Sequence, residues 1–170
     1  MFVGYVDRNG YGYTFDGKRI GRKLCNERGA PVMEIRERIV SVNRVNYGLL
    51  TKHSSFLAKP VMDRYEGDLY ITNQRLIGVR EPKAWEGVMK RGFALPTPAG
   101  ISDAWRTRAV AKAGGKEYFE LALNEIVKTK VFKSLTDKNV IYIYILSGEK
   151  KYHLSLYCKP EILGDLLQKR

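Results

Sequence analysis

The chain has 170 residues, 44% of them hydrophobic, and a formal net charge of +12 at pH 7. That length and apolar share suit one globular domain with an attachment and exclude a largely disordered chain. No apolar run approaches the roughly 18 residues of a membrane-spanning helix, and the excess of cations favours an anionic partner. The excess is evenly spread. Residues 1–33, 34–80, 81–117 and 118–170 hold six, eight, seven and nine cations against three, five, four and six carboxylates. Each quarter carries +3, so a basic patch has to be assembled by folding. The opening MFVGYVDRNGYGY lacks the charged-then-apolar order of a secretion signal, which predicts a cytoplasmic chain, at most peripheral to a membrane.

Residues 1–33 are predicted to form a β-meander. Segments 2–8 and 11–15 flank Asn9-Gly10, a pair that tolerates the positive φ of a tight turn, and Asp16-Gly17 makes a second turn before 18–24. Three such strands bury too little to stand alone, so the meander should pack on the remainder, residues 34–170. Segment 38–51 then reads as a strand, and 52–66 as a loop holding Lys52, His53, Lys59, Pro60 and Arg64. EGDLYITNQRLIGV, residues 66–79, predicts a hairpin turning at Asn73-Gln74. Side chains alternate along strands and pair across them, which puts Leu69, Ile71, Leu76 and Gly78 on one face. Tyr70, Thr72, Arg75 and Ile77 take the other, and Asn73 suits the bend because it tolerates left-handed backbone.

The pattern breaks at 81–117, where Pro82, Pro96, Pro98 and five glycines exclude a regular sheet. One helix fits inside, with Ser102 or Asp103 as N-cap, AWRTRAVAKA as body and Gly114-Gly115 as stop. Inserted loops of this length are often functional. Four further strands follow at 118–123, 127–133, 140–146 and 151–157. The chain closes with a predicted helix over 160–169, whose stripe is Ile162, Leu163, Leu166 and Leu167. Pro160 suits its first position, and Gly164 costs it about 1 kcal/mol.

Motifs for chemistry are scarce. Cys25 and Cys158 form no CxxC pair, and two reduced thiols are the expected state in a cytoplasm, although a single bridge is conceivable. His53 and His153 have no thiol or carboxylate at ligand spacing, so no metal site is expected. GYG lacks the third glycine of a dinucleotide loop, and GxxxxGK[ST] does not occur. No cofactor and no catalytic constellation are expected, which predicts a protein that is not an enzyme. RNGYGYTF (8–15) has the Gly-aromatic order of nucleic-acid-binding strands, with Tyr11, Tyr13 and Phe15 on one face. A single-stranded nucleic acid stacked on those rings is one reading; docking of the meander onto the main domain is the other. Tyr142 and Tyr144 offer the same choice, platform or ordinary sheet packing.

The hairpin carries a resemblance. Gly67, Leu69-Tyr70, Thr72-Asn73, Gln74, Arg75, Leu76 and Ile77 are similar to the hallmark of GRAM-type members of the pleckstrin-homology-like superfold. ALNEIVKTKV (122–131) and VIYIYILSGEKKYHLSLY resemble the next signature and the closing hairpin. The resemblance covers 34–170 apart from the insertion 81–117. It implies a mainly β domain, a bent seven-stranded antiparallel sandwich or barrel capped by a C-terminal helix. It also implies that the loops 52–66, 81–117 and 147–150 share one end. There they would gather Lys52, Lys59, Arg64, Lys83, Lys90, Arg91, Arg106, Arg108, Lys112 and Lys150 into a basic rim. That rim would engage anionic lipid headgroups or an acidic protein partner, with Trp85 and Trp105 as anchors. An edge strand left open would let two copies pair into a homo-oligomer.

Overall fold

The alternation of the 66–79 hairpin is realised in the register expected of it. Asp68 pairs with Val79, Leu69 with Gly78, Tyr70 with Ile77 and Ile71 with Leu76. The computed structural model describes residues 1–52, 58–81, 110, 113–133 and 139–164. Within them lie β1 (Phe2–Val6), β2 (Tyr11–Tyr13), β3 (Arg19–Lys23), β4 (Ile39–Lys52), β5 (Ala58–Thr72), β6 (Arg75–Arg80), β7 (Lys116–Ala122), β8 (Ile126–Lys133), β9 (Asn139–Ser147) and β10 (Lys150–Tyr157). All ten join one antiparallel sheet in the order β3-β2-β1-β7-β6-β5-β4-β10-β9-β8, which does not close on itself.

Two long strands fold this sheet into layers. The β4–β5 register shifts between Ile39 and Ser41, between Tyr47 and Leu49, and again between Leu49 and Leu50. Such bulges bend a strand pair and strengthen its twist. As a result β4 pairs with β10 only from Asn46 to Lys52, and β5 pairs with β6 only from Asp68 to Ile71. One layer is β3-β2-β1-β7-β6 with the end of β5; the other is β10-β9-β8 with the far halves of β4 and β5. Their facing side chains make the main core. Leu69, Ile71, Leu76, Phe119 and Leu121 meet Tyr47, Leu49, Ile141, Ile143, Ile145, Leu154 and Leu156 there.

The loop expected at 52–66 is therefore corrected: β5 is already paired at Ala58, and Pro60 stands opposite Leu50. Proline has no N–H to give a ladder and is confined to edge strands or bulges, and this half of β5 has no described neighbour on its other side. The bulges explain why alternation failed to announce the strand.

The first layer is covered on both faces. Beyond the main core, Ile77, Val79 and Tyr118 pack against Val6, Leu24 and Cys25 in a second cluster. All six residues of β6 are buried. Gly78 is demanded by this packing, since a Cβ there would run into the Phe119 ring. The meander reaches the sheet edge to edge, with β1 paired to β7 from Phe2↔Glu120 to Val6↔Lys116. Its turns have the left-handed glycines anticipated, Gly10 at φ 83° and Gly17 at φ 89°.

At the C-terminal side the described chain ends in a 3-10 turn, Pro160–Leu163, followed by Gly164. Leu163 is buried in the main core and Ile162 packs against it. The rest of the expected helix, with Leu166 and Leu167, lies outside the described residues. So does most of the insertion; of its expected helix, Val110 is described and buried, and Gly115 donates to the Val110 carbonyl (3.0 Å) beyond Gly114 at φ 58°. No helix among the described residues is long and apolar enough to cross a membrane.

Candidate functional site

The buried charges of the first layer are paired within it or with the strap before β4. At the hairpin corner the Thr72 hydroxyl accepts from the Gln74 and Arg75 amides (3.1 and 2.7 Å) and donates to Glu37 (2.7 Å). The Arg75 guanidinium meets Glu37 and Glu120, both at 2.5 Å, and donates to the Val32 carbonyl (3.2 Å). Arg22 pairs with Glu120 as well. Burial works against the charged form of Glu37. Hydrogen bonds from Arg75, the Glu34 amide and Thr72 outweigh it and hold the carboxyl at about 2. On the opposite face Arg80 pairs with buried Glu117, donates to the Tyr47 carbonyl (3.1 Å) and lies 5.2 Å from the Tyr47 ring centroid.

This geometry gives the Thr-Asn-Gln-Arg corner its purpose, which differs from the one expected of Asn73. Among the described residues the non-glycine residue at positive φ is Arg36 (62°), not Asn73. Instead the Asn73 amide grips the strap before β4: its Oδ1 accepts from the Arg38 N–H (2.8 Å) and its Nδ2 donates to the Arg36 carbonyl (3.2 Å). Gln74 adds a bond to the Ile35 carbonyl (3.2 Å). An amide offers a donor and an acceptor on one short side chain, which is what two facing backbone groups require. The corner is a socket for residues 32–38.

The second layer is built differently. Its inner face fills the core with Ile141, Ile143, Ile145, Leu154 and Leu156. Its outer face carries cations and rings in register. One row runs Lys128–Tyr144–His153–Leu50, the next Lys130–Tyr142–Ser155–Gly48, and a third pairs Phe132 with Val140 and Tyr157. Lys151 stands opposite Leu146 in the row beyond. Tyr144 meets His153 edge to face at 4.4 Å, and Phe132 meets Tyr142 likewise at 5.3 Å. Gly48 leaves a gap in the face. Arg64 approaches it from β5, and its guanidinium lies 4.5 Å from the centroid of the Tyr157 ring. Lys128, Lys130 and Lys151 are exposed, Phe132 is 45% exposed and Leu146 44%.

Strands β8, β9 and β10 contain five lysines and no carboxylate. All six carboxylates of residues 118–170 fall elsewhere: Glu120 in β7, Glu125 before β8, Asp137 and Glu149 at the corners, Glu161 and Asp165 after β10. At the far side of the face Glu66 is paired with Arg44 (3.2 Å). Folding thus makes a basic patch that the even charge count concealed.

Of the residues expected at the site, Lys90, Arg91, Arg106, Arg108, Lys112, Trp85 and Trp105 lie outside the described residues. The backbone of Lys52 pairs with Lys151, at that end of this face, whereas Lys150, exposed at the start of β10, alternates with Lys151 and falls on the other side of the strand. The meander rings are half-buried and occupied separately. Tyr13 stacks on Tyr5 (5.3 Å, 12°) and its hydroxyl reaches Asp7 (3.3 Å); Tyr11 lies under the Arg19 guanidinium (4.1 Å). Phe15 falls beyond the end of β2 and packs against the main core. Lys128, Lys130, Phe132, His153 and Tyr157 were not anticipated. The signal was present as an absence of acidic residues, visible only when charge is counted strand by strand.

Cys25 and Cys158 are both free, and burial pushes each thiol up to about 11, far from a reactive thiolate. Among the described residues no group of three His, Cys, Asp or Glu converges as metal ligands. No protein-family model matches the chain, and no curated protein or solved structure matches it.

Proposed function

We propose that this chain is a non-catalytic binding module of pleckstrin-homology-like build that engages an anionic partner through the outer face of β8–β10. The single observation carrying this reading is the charge of that face: Lys128, Lys130 and Lys151 share it by register, and none of its three strands carries a carboxylate. Uncompensated like charges repel one another, and a fold tolerates such a patch readily when a polyanion supplies the counter-charge. Elsewhere the same chain pairs its buried arginines with glutamates, so the absence is local. The build is supported by seven antiparallel strands, β4 to β10, bent over one core, and by Leu163 entering that core from the segment where the resemblance puts a capping helix. The rim expected from the resemblance adjoins this face at Lys52, whose backbone pairs with Lys151.

Retention on a sulfated-polysaccharide column tests the reading. The wild-type chain should elute late in a salt gradient, and a Lys128→Ala, Lys130→Ala, Lys151→Ala variant clearly earlier, because each lost contact returns counterions to the polymer. Co-elution of variant and wild type would remove the face from consideration.

A further inference from the structure

We infer that the polyanion this face takes is a single-stranded nucleic acid, with bases stacked on the β9–β10 rings and phosphates held by the lysines on either side. The inference rests on the anion-binding reading above and adds the chemistry of the rings. Tyr142, Tyr144, His153 and Tyr157 sit on strands in the middle of the layer, not on loops at its end. Rings that enter a lipid interface sit where they can be pushed past the surface, at loop tips or helix ends. Strand-borne rings between flanking cations instead lie level with the charges; Tyr144 and Tyr142 are half-buried and edge to face with His153 and Phe132, and an unpaired base can stack on the ring surface that remains.

The spacing agrees. Same-face residues on a strand are about 6.7 Å apart, so Tyr142 and Tyr144 stand one step from each other. Lys130 and Lys128 accompany them on β8, and Ser155 and His153 on β10. Two successive ring positions, each with its own lysine, match a chain that repeats base and phosphate. Lys151 extends the cations beyond the Tyr144–His153 row, and Arg64 extends them past Tyr157, so a strand can cross the face and meet charge at both margins. A double helix offers no exposed base face to the rings, and its wide, stiff surface would use the lysines alone.

The test is fluorescence anisotropy with a labelled 12-nucleotide single-stranded RNA and its duplex across a salt series. Polyglutamate of similar charge and acidic phosphatidylserine vesicles serve as parallel probes. The single strand should bind in preference to the duplex and to polyglutamate. Tyr144→Ala should weaken it about tenfold, while Tyr144→Phe, which keeps the ring, should bind as wild type does. Removing Lys128 and Lys130 together should lower the slope of log K against log salt by about 1.4. Thermal melts monitored by circular dichroism establish that each variant is folded, and Tyr142→Leu offers a second ring deletion of smaller packing cost. Equal binding of RNA and polyglutamate, indifferent to ring loss but reduced by lysine loss, would overturn the nucleic-acid inference and keep the anion-binding reading. So would binding confined to the vesicles. Binding to none of the four probes would overturn both.

Discussion

The two layers of this sheet treat charge in opposite ways. In the layer of β5–β7, the buried arginines Arg75 and Arg80 each stand against a glutamate on β7, and Arg75 also holds the strap through Glu37. In the layer of β8–β10, Lys128, Lys130 and Lys151 face solvent with no acidic residue on the same strands. A charge taken out of water has to be paired because its desolvation is costly, whereas an exposed lysine can be left for a partner. The contrast separates cations that hold the fold together from cations available for function, though net charge counts them alike.

Arg75→Met removes the central cation of the first layer. Removing one partner of a buried ion pair leaves the others uncompensated, and a loss of about 3–5 kcal/mol in unfolding free energy is expected from urea denaturation. A change near zero would mean that the socket does not hold the strap. Acid sharpens the contrast at an intermediate level. Glu37 is held at about 2 against an ordinary 4.5. A depressed carboxyl contributes stability that is fully present above its unfolded value and is lost as pH falls through the folded one. Stability should therefore decline between about pH 4.5 and pH 2, with amide exchange rising first in residues 32–38. Glu37→Gln should flatten that decline, and persistence of the full decline in the variant would assign it to other carboxylates. The smallest effect is expected in the other layer. Lys130→Ala should change stability by no more than about 0.5 kcal/mol, since an exposed side chain without a buried partner is removed. A larger loss would show the lysine row to be structural.

Where alternation was strict, the sequence was a good guide. Leu69, Ile71, Leu76 and Gly78 share the core face of the central hairpin as expected, and Arg75 and Ile77 share the other. Glycines at 10 and 17 marked their turns because few other residues adopt positive φ cheaply. Failures arose where the cause was distant. Asn73 was read as a backbone device, but its partners, Arg36 and Arg38, lie more than thirty residues earlier, in a strap with no periodic signal of its own. Segment 58–66 was read as a loop because bulges shift its register against β4 and Pro60 resembles a breaker, although an edge position accepts it. Tyr11, Tyr13 and Phe15 looked like one face on paper, yet β2 ends before Phe15.

The candidate face shows the same division. The sequence alone predicted strands at β8, β9 and β10, and a two-residue period, being a local property, implies that Lys128 and Lys130 fall on one side of theirs. Only the tertiary structure decided that this side lies outermost in its layer, that Tyr144 meets His153, and that Gly48 leaves room beside Tyr157 for Arg64. Those outcomes depend on which strands become neighbours and in what register. The bent β4–β5 pair sets both, joining residues far apart in the chain.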